Sequence, residues 1–249
     1  LIAAGADLNK DGKLTQKELN DATLEDTTGG EYKEPIVTSL DLSNLGLTSI
    51  EGIQYLSGLM DLNLSHNQIS DLTPLSKMMN LEKLDLSYNN ITSISKLPYY
   101  ANIYLEGDKK QYILSHNKIT DISCINNWNI SKLTDFSNGE GIDRRIYDID
   151  LSYNQIENIS GVKNYVRLKK LNLSNNKIKD ISSLKDYNFT INPHVSYEDY
   201  KELLEDFEGI DVSSNNINVN TAENKKAIEV FKNKKVTLNV DNQIVNLVT

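Results

Sequence analysis

One seven-residue frame recurs six times along this chain: NLSHNQI at 63–69, DLSYNNI at 85–91, ILSHNKI at 113–119, DLSYNQI at 150–156, NLSNNKI at 172–178 and DVSSNNI at 211–217. A degenerate copy, DLSNLGL, occupies 41–47. In each frame apolar and polar residues alternate, then an Asn is followed two positions later by an apolar residue. Alternation is the mark of a strand with one buried face. A single short strand and turn cannot bury that face alone, so the frame demands neighbours of its own kind. Stacked equivalent turns, each adding one parallel strand, meet that demand.

The frame's Asn falls at 67, 89, 117, 154, 176 and 215, with spacings of 22, 28, 37, 22 and 39 residues. A 22-residue period suits the shorter leucine-rich repeats, whose outer side is a tight turn or 3₁₀ segment rather than a full α-helix. The turn around Asn67 shows the whole pattern: Leu59, Leu62, Leu64, Asn67, Ile69, Leu72 and Leu75. It predicts a strand over Asp61–Ser65, with Leu62 and Leu64 inward and Asp61, Asn63 and Ser65 outward. Asn67 would end the strand by bonding backbone groups of its own and the adjacent turn. Leu45 stands where the first frame should carry its Asn, as terminal repeats are commonly atypical. The fold class expected is α/β: a leucine-rich repeat solenoid with a curved parallel sheet, a helical N-terminal cap over 1–35, seven repeats over 36–220 and a C-terminal cap over 221–249. Within the last cap, 221–232 reads as a helix with Ala227, Ile228 and Phe231 on one face, and Val236, Leu238 and Val240 alternate as a strand.

The stretch from Thr38 to Ile91, TSLDLSNLGLTSIEGIQYLSGLMDLNLSHNQISDLTPLSKMMNLEKLDLSYNNI, resembles the repeats of bacterial internalins and related cell-surface proteins. The preceding LIAAGADLNKDGKLTQKEL is similar to the cap that precedes such arrays in many Gram-positive surface proteins. The resemblance implies a secreted or cell-surface location on a bacterium, and recognition of a protein or adhesion to one. The chain departs from the pattern in its three interruptions, and it carries no Leu-Pro-x-Thr-Gly sorting motif. Leu1 opens inside what reads as the end of a helix, so upstream residues, a signal peptide among them, are expected to have been removed. Six glycosylation sequons, two of them on strands at Asn63 and Asn172, fit a bacterial source better than a eukaryotic secretory one.

Asp7, Asn9, Asp11, Gly12, Lys13, Thr15 and Glu18 match the twelve-residue cation loop D-x-[DN]-x-[DN]-G-x₅-E at every constrained position. Ca²⁺ takes six to eight oxygens. Asp7, Asn9 and Asp11 would each supply one, Lys13 its carbonyl, Thr15 a direct or water-bridged contact, and Glu18 both carboxylate oxygens. A bound, structural Ca²⁺ that stiffens the cap is the expectation, since no second loop is present to pair with it. The competing reading is a degenerate loop kept as a helix cap.

The longer spacings carry 6, 15 and 17 surplus residues, placed near 104–111, 131–145 and 188–206. They fall at one phase of the solenoid, so they are expected on one rim. In the third, Ser196 with Asp199 reads as a capping box, ahead of an apolar helical face that includes Phe207. Beside the outward strand column (Asp41, Asn63, Asp85, Ile113, Asp150, Asn172, Asp211) runs a second one: Asn44, His66, Tyr88, His116, Tyr153, Asn175 and Ser214. Ile113 is apolar where its counterparts are polar. Tyr88, Ile113, His116 and Tyr153, with the first two insertions, are the candidate partner-binding patch. Packing of like residues on adjacent turns accounts for the same column equally well.

A net charge of -9 argues against nucleic acid or an anionic membrane as partner. One cysteine, Cys124, allows no internal disulfide, and no apolar run is long enough to span a bilayer. No nucleophile, base and orienting group converge, and His66 and His116 are separated by an intervening turn, so no enzyme is expected. What remains is a monomeric module that binds a protein partner through its concave face and rim loops. The alternative is a targeting or spacer domain of a larger surface enzyme or adhesin. An intracellular scaffold is a third, weaker reading.

Overall fold

The structure, a computed structural model, describes residues 37–98, 109–128, 146–164, 168–187, 189 and 207–243. The cation loop at 7–18 lies outside the described residues, as do 131–145 and 190–206 of the insertions. Eight parallel strands form one open sheet in chain order: β1 (Ser39–Asp41), β2 (Asp61–Asn63), β3 (Lys83–Asp85), β4 (Lys109–Ile113), β5 (Ile146–Asp150), β6 (Leu168–Asn172), β7 (Gly209–Asp211) and β8 (Thr237–Asn239). At roughly 4.8 Å per strand the sheet is about 34 Å long.

Register explains the core. Leu62, Leu84, Tyr112, Ile149, Leu171 and Ile210 pair in sequence across the sheet and are all fully buried. Leu64, Leu86, Leu114, Leu151, Leu173 and Val212 form a second buried file, and Ile69, Ile91, Ile119, Ile156, Ile178 and Ile217 a third. Single 3₁₀ turns close the opposite side at Ile53–Tyr55, Thr73–Leu75, Ser123–Trp128, Ser160–Asn164 and Ser182–Asp186. In the second of these Pro74 sits in the first turn, where its fixed φ helps and no backbone donor is lost. The short period leaves no room for more than such a turn.

The frame's asparagines form a buried ladder. Asn117 donates from Nδ2 to the carbonyls of Leu114 and Ser115 in its own turn and of Leu86 in the preceding one, and its Oδ1 accepts from the Ile91 amide. Asn89, Asn154, Asn176 and Asn215 repeat the same set. Asn67 reaches back to the Leu42 carbonyl and accepts from the amides of Leu45 and Leu47, so the first turn is served by the second. Leu45 itself is 61% exposed, as fits a side chain with no ladder role.

Two expectations need correction. The strand at Asp61 ends at Asn63, and Ser65 is buried rather than outward, because the chain turns inward toward Asn67. The first insertion does not extend to residue 111 as a rim loop: 109–111 belong to β4, which pairs with an equally lengthened β5 through Lys109↔Ile146 and Lys110↔Tyr147. That extension buries Lys110, whose ammonium donates to the carbonyls of Met79 and Leu81, while the hydroxyl of buried Tyr112 donates to Pro98. The strand expected in the C-terminal cap is present as β8 and joins the sheet beside β7. The C-terminal segment adds a full turn in which Gln243 does the work of the Asn, donating to Val212 and Val240 and accepting from the Ile217 amide.

That eighth turn has an α-helix on its outer side, α1 (Ala222–Asn233), capped by Thr221, whose hydroxyl accepts from the Asn224 amide. Asn224, Ala227 and Phe231 are buried. Gly209 is obligatory at the start of β7: a Cβ there would lie 2.1 Å from the Thr237 carbonyl oxygen of β8, and φ is +124°.

Asn117→Ala should lower stability by at least about 2 kcal/mol, since it strips partners from several buried backbone groups at about 1–3 kcal/mol each. Chemical denaturation of the two proteins measures it; an unchanged midpoint would mean that these groups reach solvent instead.

Candidate functional site

The residue that follows each strand's terminal three-residue unit, Asx-Leu-Ser in most turns, has the left-handed conformation. Asn44, His66, Tyr88, His116, Tyr153, Asn175, Ser214 and Asn242 all have φ between 52° and 57°. Two sets of bonds enforce it. The strand-end Asp or Asn accepts the amide two residues ahead, as Asp85 does from Ser87 and Asp150 from Ser152, both at 2.9 Å. The left-handed residue then donates its own amide to the next turn: His66 to Ser87, Tyr88 to Ser115, His116 to Ser152 and Tyr153 to Ser174. The outward Asp/Asn column is therefore a turn-forming device first. Sequence alternation had marked it only as polar.

Four of the eight left-handed positions carry rings, and the rings stack. His66 to Tyr88, Tyr88 to His116 and His116 to Tyr153 lie 4.3, 4.1 and 4.2 Å apart between centroids, within about 10° of parallel. Tyr88 and Tyr153 remain 45% and 50% exposed. A left-handed residue other than Gly costs about 1–2 kcal/mol, which Asn moderates. Each stacked pair returns about 0.5–1.5 kcal/mol. The stack thus offsets part of its own backbone strain, so ladder packing and surface display hold together. Ring faces are used internally, and what meets solvent is a row of edges bearing tyrosine hydroxyls and imidazole nitrogens.

Of the four residues singled out in the sequence, the structure brings Tyr88, His116 and Tyr153 into one stack. His66 joins them; its place in the same column was the signal. Ile113 lies elsewhere. It is on β4, in register with Asp85 of β3 and Asp150 of β5, and lines a hollow of about 300 Å³ with Ser39, Leu40, Asp41, Asp61, Leu62, Asn63, Lys83 and Asp85. The hollow opens over β1 to β4, the half of the face that the sequence suggested was the less informative. Ile113 is also the one position among the described strand ends that supplies no turn acceptor to the amide two residues ahead.

Burial and ion pairing each clearly shift an ionisable group among the described residues. Cys124 is half-buried, and burial, helped by the charge of Asp121, pushes its thiol up to about 11. It is a poor nucleophile at neutral pH. Glu223 is held down to about 2 by hydrogen bonds from Lys185 and Lys226, and the exposed Lys185 contact ties α1 to the preceding turn while Lys226 lies within α1. Among the described residues no group of three His, Cys, Asp or Glu side chains is placed to hold a metal, and no helix is long and apolar enough to cross a membrane.

Replacing Ile113 by Asn should give a protein more stable than Ile113→Ala by about 0.5–1.5 kcal/mol, because both remove the aliphatic group but only Asn offers the Ser115 amide an acceptor. Thermal or denaturant unfolding of the two variants decides it, and equal midpoints would show the turn bond to be worth nothing here.

The pattern described as Leucine Rich repeats (2 copies) matches residues 59–99 and 148–186. Among solved structures, an internalin C2 from Listeria monocytogenes is 22% identical, with 88% of this chain and 86% of that chain covered and a TM-score of 0.46. An internalin, InlF, from the same organism is 23% identical, with 98% and 76% covered and a TM-score of 0.33. The matched repeats, the register and the asparagine ladder together make the described chain a leucine-rich repeat solenoid.

Proposed function

We propose that this protein is an internalin-like recognition module, secreted or displayed on a bacterial surface, that binds a protein partner across the open face of its sheet and the rim beside it. The observation that carries the reading is the row of four stacked rings, three of them exposed and His116 half-buried. A solenoid that needed only stability could keep Asn at these positions, as it does at 44, 175 and 242. Rigid aromatic residues dominate the energy of many interfaces because they bury large area with little entropy to lose. The location follows the resemblance of the repeats and of the N-terminal segment, and adhesion is the broader role that resemblance implies. No catalytic step is assigned.

Tyr88→Ala with Tyr153→Ala should abolish capture of proteins that the native chain retains from envelope or host-cell extract. A pair on the 3₁₀ turns of the opposite side, Lys163→Ala with Asp186→Ala, should retain them. Both double variants are compared at equal melting temperature. Equal capture by the two would move the interface off the ring edge and defeat this assignment.

The loop from Asp7 to Glu18 completes the reading as a structural calcium site. Its donor set, with three side-chain oxygens from Asp7, Asn9 and Asp11, the Lys13 carbonyl, Thr15 and a two-oxygen Glu18, suits a hard cation of that size. Binding to the folded state alone stabilises by mass action, about 2.7 kcal/mol at a hundredfold excess over Kd. Calorimetry on metal-stripped protein should show one site that Glu18→Ala removes. A flat titration would leave the loop as a helix cap without metal.

A further inference from the structure

The outward face of the sheet has two columns whose charge is unevenly spread. The strand-end column holds Asp41, Asp85, Asp150 and Asp211 with no cation, while the column two residues earlier balances Asp61 and Asp148 with Lys83 and Lys170. In the strand-end column each carboxylate spends Oδ1 on its turn bond. At Asp85 and Asp150 the second oxygen makes no hydrogen bond or ion pair among the described residues, and Ile113 stands between them in register. The face therefore presents carboxylate, aliphatic group and carboxylate in a straight row. The two carboxylates are two strand spacings apart, roughly 9.6 Å.

We propose that this row is the specificity site for an extended basic segment of the protein partner, with two cationic side chains three residues apart and an apolar residue between them. The inference rests on the reading of the chain as a recognition module and names what that module selects. An extended polyproline II segment advances about 3.1 Å per residue, so cations at i and i+3 lie about 9.3 Å apart on one side, close to the carboxylate separation. A regular β-strand places same-side residues at multiples of about 6.7 Å and misses it. Arginine fits better than lysine, since its fork pairs with a carboxylate through two parallel bonds and its stem lies along aliphatic surface. Ile113 contributes desolvation at the centre of the row, where a contact counts most.

The test uses fluorescein-labelled peptides and the full chain. The probe contains Arg-Leu-Pro-Arg; its controls carry citrulline for both arginines, Gly for the Leu, or the two arginines adjacent with composition unchanged. Asn occupies this column naturally at 63 and 172 and keeps the turn bond there, so Asp85→Asn, Asp150→Asn and Ile113→Asn are expected to fold. Saturable one-to-one anisotropy with the probe is expected, weakened about tenfold or more by citrulline, by adjacent arginines and by Ile113→Asn, which leaves net charge unchanged. Asp85→Asn with Asp150→Asn should abolish it. Two results overturn the proposal. Binding that follows salt and charge alone, indifferent to Ile113→Asn and to arginine spacing, would be general attraction to an acidic protein. No probe binding, in a protein whose partner capture is still lost with Tyr88→Ala and Tyr153→Ala, would refute the basic segment and leave the recognition role intact.

Discussion

A buried side-chain amide that bonds two successive turns at once is the interaction on which the rest of this structure depends. Each frame turns its chain inward after the strand, which exposes carbonyls and amides that no strand partner can reach. An Asn at that corner carries an NH₂ that donates and a carbonyl oxygen that accepts on one planar group, so it serves both kinds of orphaned backbone group. Asp would lose the donors and Ser is too short to reach the preceding turn, whereas Gln243 keeps the same amide chemistry in the last turn. Left unmet, those groups would cost about 1–3 kcal/mol apiece in a protein whose whole margin is of the order of ten. The ladder is therefore a condition for stacking the turns, with apolar burial supplying the drive.

The ladder also dictates what the surface can be. Because the residue before each Asn must be left-handed, its side chain is thrown to the rim in the same direction at every turn. Successive turns are one strand spacing apart, which is close to the thickness of an aromatic ring. Planar side chains at consecutive turns therefore meet face to face, as His66, Tyr88, His116 and Tyr153 do at 4.1–4.3 Å. The stack is a consequence of the repeat once those residue types are chosen. Residue choice is thus free at this column, whereas the Asp/Asn column beside it is committed to turn bonds.

Much of this was legible in the sequence, and what was not has definite causes. The apolar files, the strand phase and the ladder could be read because each depends on a period, and periods survive in one dimension. The helix of the last turn was legible within a residue at each end, from Thr221 and the spacing of Ala227 and Phe231. Its status as an eighth turn was not, because Gln243 replaces Asn and Asp241 replaces Ser, which hides a frame whose backbone, with Asn242 at φ 52°, is unchanged. The stack was visible as a column but its geometry was not, since ring overlap depends on φ at each rim residue. The strand-end acceptors were missed because an Asp that bonds the next turn of chain looks like any exposed Asp. Ile113 was noticed as an exception, but its separation from the rings follows from the strand pointing one way and the left-handed residue another.

The place where that exception is tolerated is itself informative. Elsewhere in the array neighbouring strands share three or four paired positions, but β4 and β5 share five. Lengthening these two strands adds backbone bonds and fixes their register further from the turn. With the pair held along more of its length, the turn after β4 can be set without a side-chain acceptor, and the ladder Asn117 still ties its inner end to the turn before. Residues at the ends of the first and second insertions thus do more than lengthen loops: they give β4 and β5 the longest pairing among the described strands. An apolar side chain placed there loses least, and it falls between two carboxylates whose outer oxygens are uncommitted. Loss of a local bond has been concentrated where the surrounding sheet best absorbs it, which is the pattern expected when a scaffold residue is exchanged for one that faces a partner.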